Sequence, residues 1–306
     1  MSPPNVLLIT VDDQRPDTIG ALGHDVLETP TLDSLLREGT FVQPYTTVPV
    51  CTPGRSELLS GCDAFENGCR WFGESIDESI TLLPEAFGDA GYRTRFAGKW
   101  HVHPGPREAG FDETRRVIYE EIENDYPECG HQLQFSEDGE IVEGHSTDLV
   151  AEAAEDFVRA GAEEDRPWLA YVGFHSPHDP RTPPEEFAYD PTEVDLPANY
   201  MPEHPFDNGE MTIRDEQLEE FPRTQEAIRE HLADYYGMIS HHDAAIGRLL
   251  DRLAETGQRE DTLVVFTGDH GLAIGSHGLM GKENCYEHSA RVPMVAAGPD
   301  VAADRR

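Results

Sequence analysis

Apolar residues along this chain alternate between short continuous runs and longer stretches with a helical period. Short apolar runs predict buried strands, and they occupy residues 5–11, 93–97, 168–174, 263–267 and 292–297. Apolar positions three or four residues apart predict helices at 31–37, 82–90, 147–160 and 226–256, with a further helix after Pro53. Because strands and helices alternate, we expect an α/β domain with a mostly parallel central sheet and helices on both faces.

Residues 176–223 interrupt this alternation. The segment is rich in proline and acidic residues and shows no regular period. We predict a loop-rich insertion there, lying over a site that forms beyond the carboxyl ends of the strands. Because no repeat or clear linker divides the sequence, residues 1–306 are expected to form a single domain.

The composition adds a strong excess of negative charge. The sequence has 60 acidic and 23 basic residues, a net charge of −37, and its only lysines are Lys99 and Lys282. An acidic, lysine-poor chain that still has periodic apolar blocks indicates a folded protein adapted to high salt, so we expect a halophilic source. The same acidity argues against nucleic acid or an anionic membrane as a partner.

The cysteines and the first residues bear on the compartment. The five cysteines, at positions 51, 62, 69, 129 and 285, are an odd number and do not form a disulfide framework or a metal finger. Residues 1–11 lack the basic region and cleavage site of a signal peptide, and no apolar stretch reaches the length of a membrane span. We therefore expect a cytoplasmic protein, unless a leader precedes this sequence.

A short motif supplies the first candidate chemistry. Cys51-Thr52-Pro53-Gly54-Arg55 has the form Cys-x-Pro-x-Arg and comes just before the helical run 56–60. A nucleophile at the start of a helix lies where free backbone N–H groups and the helix dipole favour anions. A turn with a buried cysteine is the alternative interpretation.

Two predicted strands end in pairs of metal-binding residues. Asp12-Asp13 follows the first strand, and Asp269-His270 follows the strand at 263–267. Two strand ends that meet at one edge of a sheet would place four ligands around one hard cation. The alternatives are a solvated strand end for the first pair and a tight turn for the second.

The two lysines and two histidines also lie at the exits of predicted strands or in loops that contain glycine or proline. Lys99 and His101 lie in Gly-Lys-Trp-His, Lys282 lies in Gly-Lys-Glu-Asn, and His178 follows a buried strand in Ser-Pro-His-Asp-Pro. A compact ammonium suits an anionic group, and the scarcity of lysine makes two solvated surface lysines the weaker alternative. On an extended segment, Lys99 and His101 would point to one side.

Together these strings resemble the type I, formylglycine-dependent sulfatases of the alkaline-phosphatase-like superfamily. The resemblance implies an alkaline-phosphatase-like fold and a sulfate ester as small-molecule substrate. It also implies that a formylglycine-generating maturation enzyme oxidises Cys51 to an aldehyde. The metal ligands that it implies are Asp12, Asp13, Cys51, Asp269 and His270. Ca²⁺ is the expected ion, with Mg²⁺ or Mn²⁺ possible because His270 offers nitrogen rather than oxygen.

The resemblance also implies roles in hydrolysis. One hydroxyl of the aldehyde hydrate at residue 51 attacks sulfur and displaces the alcohol. The second hydroxyl then loses a proton, and breakage of the carbon–oxygen bond releases sulfate and restores the aldehyde. Arg55 anchors the hydrate, and Lys99 and Lys282 stabilise charge on the sulfuryl group. His178 or Lys282 protonates the departing alkoxide, and His101 takes the proton of the second hydroxyl.

Two other interpretations stay open. Phosphonate monoester and phosphodiester hydrolases of the same superfamily share the Cys-x-Pro-x-Arg string, although a second Asp after the first favours a sulfatase. A non-catalytic relative, without conversion of Cys51, is the other. The sulfatase pattern normally continues into a smaller C-terminal subdomain, so we expect that subdomain to be missing or truncated here.

Overall fold

The computed structural model describes residues 3–119, 133–135 and 141–306, and seven strands in these ranges form one sheet. Two further strands, Leu133–Phe135 and Ile141–Glu143, form a separate antiparallel pair. In chain order the strands are β1 (Asn5–Val11), β2 (Thr40–Val42), β3 (Arg93–Lys99), β4 (Glu113–Ile118), β5 (Leu133–Phe135), β6 (Ile141–Glu143), β7 (Trp168–Gly173), β8 (Thr262–Gly268) and β9 (Met294–Ala297).

The main sheet has the order β2-β9-β8-β1-β7-β3-β4. Its five strands from β8 to β4 are parallel, whereas β9 runs antiparallel to β8 and β2 runs antiparallel to β9. The prediction of a mostly parallel α/β sheet is therefore confirmed. The carboxyl ends of the five parallel strands share one edge, which is where sites form in such sheets.

Seven α-helices lie in the described ranges: α1 (Pro30–Glu38), α2 (Cys51–Ser60), α3 (Ala64–Asn67), α4 (Leu83–Asp89), α5 (Ser146–Gly161), α6 (Gln225–Glu255) and α7 (Glu287–Ala290). Helix α2 begins earlier than the sequence suggests, because proline is compatible with the first turn of a helix. Cys51 is therefore the first helical residue, rather than a residue that precedes the helix.

The sheet is covered on both faces, as the pattern predicts. In β7, Trp168, Ala170 and Val172 face the core that contains α1, α5 and α6. Leu169 and Tyr171 face the opposite core, which contains Leu59 of α2. Successive residues of a strand point to opposite faces, so one fully buried strand supports two cores.

Residues 174–224 connect β7 to α6 and contain three short 3₁₀ turns, Glu185–Phe187, Pro191–Glu193 and Asp215–Gln217. Val194 of this segment packs with Leu232 of α6 and with Leu272, which follows β8. The segment therefore lies beside the carboxyl edge of the sheet. In the described ranges, Cys51, Cys62, Cys69 and Cys285 are free thiols, while Cys129 falls outside them.

The exits of β3 and β7 approach each other very closely. Gly98 has φ of 104°, and a Cβ placed on it would overlap the carbonyl oxygen of Gly173. Only glycine fits this backbone, which leads directly into Lys99. The helices of the described segments include none that combines the length and the hydropathy needed to cross a membrane.

Candidate active site

The candidate residues meet where β1 and β8 end side by side. Val11 pairs with Gly268 at the last position of the two strands, and the Asp269 amide donates to the Val11 carbonyl at 3.3 Å. On the other side of β1, the Asp12 amide donates to the carbonyl of Ser176, which follows β7, at 3.2 Å. Adjacent parallel strands thus bring residues far apart in sequence to one edge, as the sequence predicts.

Cys51 lies buried among these strand ends. Its Sγ is 3.5 Å from Asp12 Oδ1, 3.3 Å from His270 Nε2 and 3.4 Å from Lys282 Nζ. Burial and the Asp12 carboxylate raise the pKa of the Cys51 thiol, although Lys282 opposes them. The unmodified side chain is therefore a neutral thiol at neutral pH, and a thiol is a weaker nucleophile than a thiolate.

Arg55 lies one turn after Cys51 in α2, and its side chain contacts residues at the ends of three strands. Its Nε lies 2.9 Å from Asp269 Oδ2, and its Nη2 lies 3.5 Å from Asp12 Oδ2. A third nitrogen, Nη1, donates to the Lys99 carbonyl at 2.8 Å. The guanidinium is 1% exposed, so its planar set of donors fixes the relative positions of β1, β3 and β8.

The two adjacent acids are held in different electrostatic environments. Burial raises the pKa of Asp12, but Lys99, with Nζ at 2.6 Å from Oδ2, and Arg55 bring that pKa well below its ordinary value. The pKa of Asp13 is instead raised, because burial and the neighbouring Asp12 outweigh Lys282, whose Nζ is 2.8 Å from Oδ1. Burial lowers the pKa of Lys282, but Asp13 and Cys51 raise it well above its ordinary value.

Four side chains have ligand atoms close enough to hold one metal ion. The atoms of Asp12, Cys51, Asp269 and His270 all lie within 4.8 Å of one another. Burial lowers the pKa of His270, but Asp269 and Cys51 raise it to about 9. A divalent cation would displace that proton, because an imidazole that binds a metal is neutral.

Asp13 stands beside this group and offers carboxylate oxygens of the same ligand type. Its Oδ1 is 3.3 Å from His270 Nδ1, while its Oδ2 is buried and accepts no hydrogen bond from the residues that the structure describes. A buried carboxylate oxygen without a partner is costly, and carboxylate oxygens are the preferred ligands of Ca²⁺ and Mg²⁺. The donor set therefore suits a hard divalent cation.

The structure places His178 and His101, both predicted site residues, in different surroundings. The ring of His178 stacks on His175, with centroids 4.9 Å apart, and burial together with Lys99 and Lys282 holds its pKa well below the ordinary value. His101 is buried against the ring of Phe72, and its φ of 57° is left-handed. The expected extended segment therefore ends at Lys99, and strand alternation does not set the direction of His101.

Residues 174–224 contribute groups that the sequence analysis missed. Asp215 Oδ2 lies 3.8 Å from Lys282 Nζ, and Arg214 pairs with both Asp179 and Asp215. Glu216 accepts hydrogen bonds from the amides of Met280 and Gly281, next to Lys282. No periodicity marks these positions, because a single 3₁₀ turn within a long connection is too short to give a repeating apolar pattern.

The chain is similar to known proteins over nearly its whole length. The family model described as Sulfatase matches residues 4–306. An arylsulfatase of Clostridium perfringens is 30% identical, with 97% of this chain and 69% of that protein covered. An ulvan-active sulfatase of Formosa agariphila is 28% identical, with 97% of this chain and 57% of that protein covered.

A solved structure extends the similarity. The phosphonate monoester hydrolase of Agrobacterium radiobacter matches with a TM-score of 0.79 and 26% identity, covering 97% of this chain and 68% of that one. Three curated sulfatases that the chain matches are longer, and it spans 57%, 63% and 69% of their lengths. These similarities give no support to a halophilic source, which rests on composition alone.

Proposed function

The chain belongs to the sulfatase family of the alkaline-phosphatase-like superfamily, and from this premise we propose that it hydrolyses sulfate esters with a formylglycine derived from Cys51. One observation carries the proposal. The buried Sγ of Cys51, at the first residue of α2, lies within 3.5 Å of an Asp12 oxygen, a His270 nitrogen and the Lys282 ammonium.

The raised pKa of Cys51 supports the need for its conversion. Burial keeps the thiol protonated, so an unmodified Cys51 is a poor nucleophile in this environment. An aldehyde hydrate at the same position would offer two hydroxyl groups, one to attack sulfur and one to drive release of sulfate. A formylglycine-generating enzyme is therefore the proposed maturation partner.

The cations around residue 51 are the proposed ligands of the sulfuryl group. Lys99 and Lys282 are both almost fully buried, and each is paired with one of the two adjacent acids. Preorganised ammonium groups in a buried site stabilise charge that develops on transferring oxygens. Arg55, held by Asp12, Asp269 and the Lys99 carbonyl, keeps the strand ends and residue 51 in register.

Proton donation to the leaving alkoxide falls to Lys282 in this proposal. The pKa of His178 is held well below its ordinary value by burial and by two nearby ammonium groups, so its imidazole is neutral at neutral pH. Lys282 keeps its proton because Asp13 and Cys51 raise its pKa. His101 remains the proposed acceptor of the second hydroxyl's proton.

A divalent cation held by Asp12, Asp13, Asp269 and His270 would polarise a sulfate oxygen and lower the pKa of the hydrate. We propose Ca²⁺, because three of the four side chains offer carboxylate oxygens. Metal analysis of the purified protein separates Ca²⁺ from Mg²⁺ and Mn²⁺.

Mass spectrometry and parallel assays test the proposal. Intact-mass measurement and peptide mapping of protein from its native host should show an aldehyde at residue 51. The same preparation should hydrolyse an aryl sulfate, the substrate class suggested by the arylsulfatase relative, and Cys51→Ala should be inactive. An unmodified, inactive Cys51 would instead indicate a non-catalytic relative.

The phosphonate monoester hydrolase similarity defines the second candidate activity. An aryl phosphonate monoester assayed beside the aryl sulfate, under the same conditions, separates the two. A preference for the phosphonate by several orders of magnitude in kcat/KM would replace sulfate ester hydrolysis by phosphonate ester hydrolysis as the function.

A further inference from the structure

We propose that Tyr235, on α6, is a positioning residue that sets the metal affinity of Asp13. The inference rests on the proposed function, because it concerns the cation that Asp13 would hold there. Tyr235 lies far from Asp13 in sequence and looks like an ordinary apolar position of an amphipathic helix.

Two hydrogen bonds connect Tyr235 to the backbone on both sides of Gln14. The Tyr235 hydroxyl donates to the Asp13 carbonyl at 2.7 Å and accepts from the Arg15 amide at 2.9 Å. The ring is 0% exposed. One buried hydroxyl therefore satisfies two backbone groups that the turn after β1 leaves without partners in the sheet.

The backbone at Asp13 needs such a support. Asp13 has φ of 67°, in the left-handed region that residues with a side chain rarely adopt. A residue in that region persists only where the surroundings hold it there. The Tyr235 bond to the Asp13 carbonyl acts directly on this peptide, and the carboxylate direction depends on it.

The support is itself rigid. The Arg181 guanidinium lies over the Tyr235 ring, 5.4 Å from its centroid, and α6 continues into the core through Ile239 and Ile246. Asp13 Oδ2, the buried oxygen that accepts no hydrogen bond within the described part of the chain, is thus carried by a turn that a core helix fixes. Outer groups that orient a ligand commonly change metal affinity by about 10- to 100-fold.

Tyr235→Phe tests this with the ring and its packing retained. The matched control is Tyr236→Phe, the same change at the next residue of α6, whose ring contacts His24 and Tyr189 as well as the Tyr235 ring, all contacts that phenylalanine keeps. Each full-length variant is stripped of metal and titrated with Ca²⁺, and in parallel with Mn²⁺, by calorimetry. We expect Tyr235→Phe to raise the Kd about 10- to 100-fold and Tyr236→Phe to leave it within about 2-fold of wild type.

A double-mutant cycle shows whether the effect passes through Asp13. In an Asp13→Asn background, Tyr235→Phe should change the Kd by less than about 3-fold, because the ligand that it orients is gone. The melting temperature of each metal-free variant is recorded as well. A lower melting temperature with an unchanged Kd means that Tyr235 only supports the fold, which overturns the inference.

The same titration separates this inference from the proposed function. A wild-type protein that binds Ca²⁺ or Mn²⁺ but hydrolyses neither sulfate nor phosphonate esters refutes the activity, while a Kd shift in Tyr235→Phe still upholds the positioning role. Wild-type protein that binds neither ion overturns the inference directly.

Discussion

Replacement of Arg55 by lysine isolates the contribution of guanidinium geometry from that of charge. Arg55 makes three contacts, to Asp269 Oδ2 at 2.9 Å, to Asp12 Oδ2 at 3.5 Å and to the Lys99 carbonyl at 2.8 Å. A lysine ammonium is a single point on a flexible stem, so it can keep one carboxylate contact but cannot span all three.

The expected cost follows from the two contacts that are lost. The lost ion-pair contact with one carboxylate is taken at the value of a charge-assisted hydrogen bond, about 1.5 to 3 kcal/mol, and a buried carbonyl left without a partner costs about 1 to 3 kcal/mol. Arg55→Lys should therefore lower the free energy of unfolding by roughly 2.5 to 6 kcal/mol. Because that is a large share of the roughly 5 to 15 kcal/mol typical of a protein domain, the variant should fold but be clearly weakened.

Urea unfolding in the presence of a chelator measures this effect without a metal contribution. The buried Trp100 and Trp168 give the fluorescence signal. The matched control is Arg70→Lys, since Arg70 pairs with Glu74 at 3.2 Å while 58% of its side chain is exposed, and such a pair contributes about 0 to 1 kcal/mol. If Arg55→Lys changes the free energy of unfolding no more than Arg70→Lys does, the three contacts do not hold the strand ends together.

Two further changes test the backbone at the site and a buried acid. Gly98→Ala should destabilise the protein by at least about 2 kcal/mol because of its positive φ and the overlap with Gly173. The control is Gly88→Ala in α4, where nothing lies within 4 Å of the added Cβ, and it should stabilise the protein by about 0.5 to 1 kcal/mol. If the urea midpoints of Gly98→Ala and Gly88→Ala shift in the same direction, this reasoning is wrong. Burial raises the pKa of Asp243 to about 6, so the stability that its neutral form contributes is present below about pH 4 and lost as the pH rises through 6. The stability of wild type relative to Asp243→Asn should thus fall by about 3 kcal/mol between pH 4 and pH 7, and a difference that does not vary with pH would exclude this.

The regular part of the fold follows closely from the apolar pattern. The predicted bounds of β1 coincide with those observed, and those of α5 and α6 differ by one residue at each end. Strands β2 and β4 were missed, because an edge strand buries less of its surface and β4 carries Arg115 and Arg116 within a short sequence. Strand β9 begins only at Met294, since Pro293 has no amide hydrogen to donate to a neighbouring strand.

The residues of the site also differ in whether the sequence alone could predict them. Residues at the ends of parallel strands, such as Asp12 and Asp269, could be predicted to meet, because their positions depend on strand order alone. Tyr235 and Glu216 could not, because a helix face and an irregular loop reach the site only through tertiary packing. His101 shows the intermediate case, in which correct placement after a strand does not give the direction of the side chain.

The charges within the site explain how a strongly acidic chain could bind an anion. Arg55, Lys99 and Lys282 contribute three positive charges, and Asp12, Asp13 and Asp269 balance them with three negative charges. His270, whose pKa is raised to about 9, adds one positive charge, so these seven side chains carry +1 without a metal. A divalent cation that displaces this proton would raise the site to +2, while the whole chain carries −37. At about 0.15 M salt the Debye length is about 8 Å, so a ligand in the site would experience the local charge far more than the distant surface. On this reasoning a bound cation would do more than activate a nucleophile, because it would double the net positive charge of a site whose lysines are already balanced by their own carboxylates.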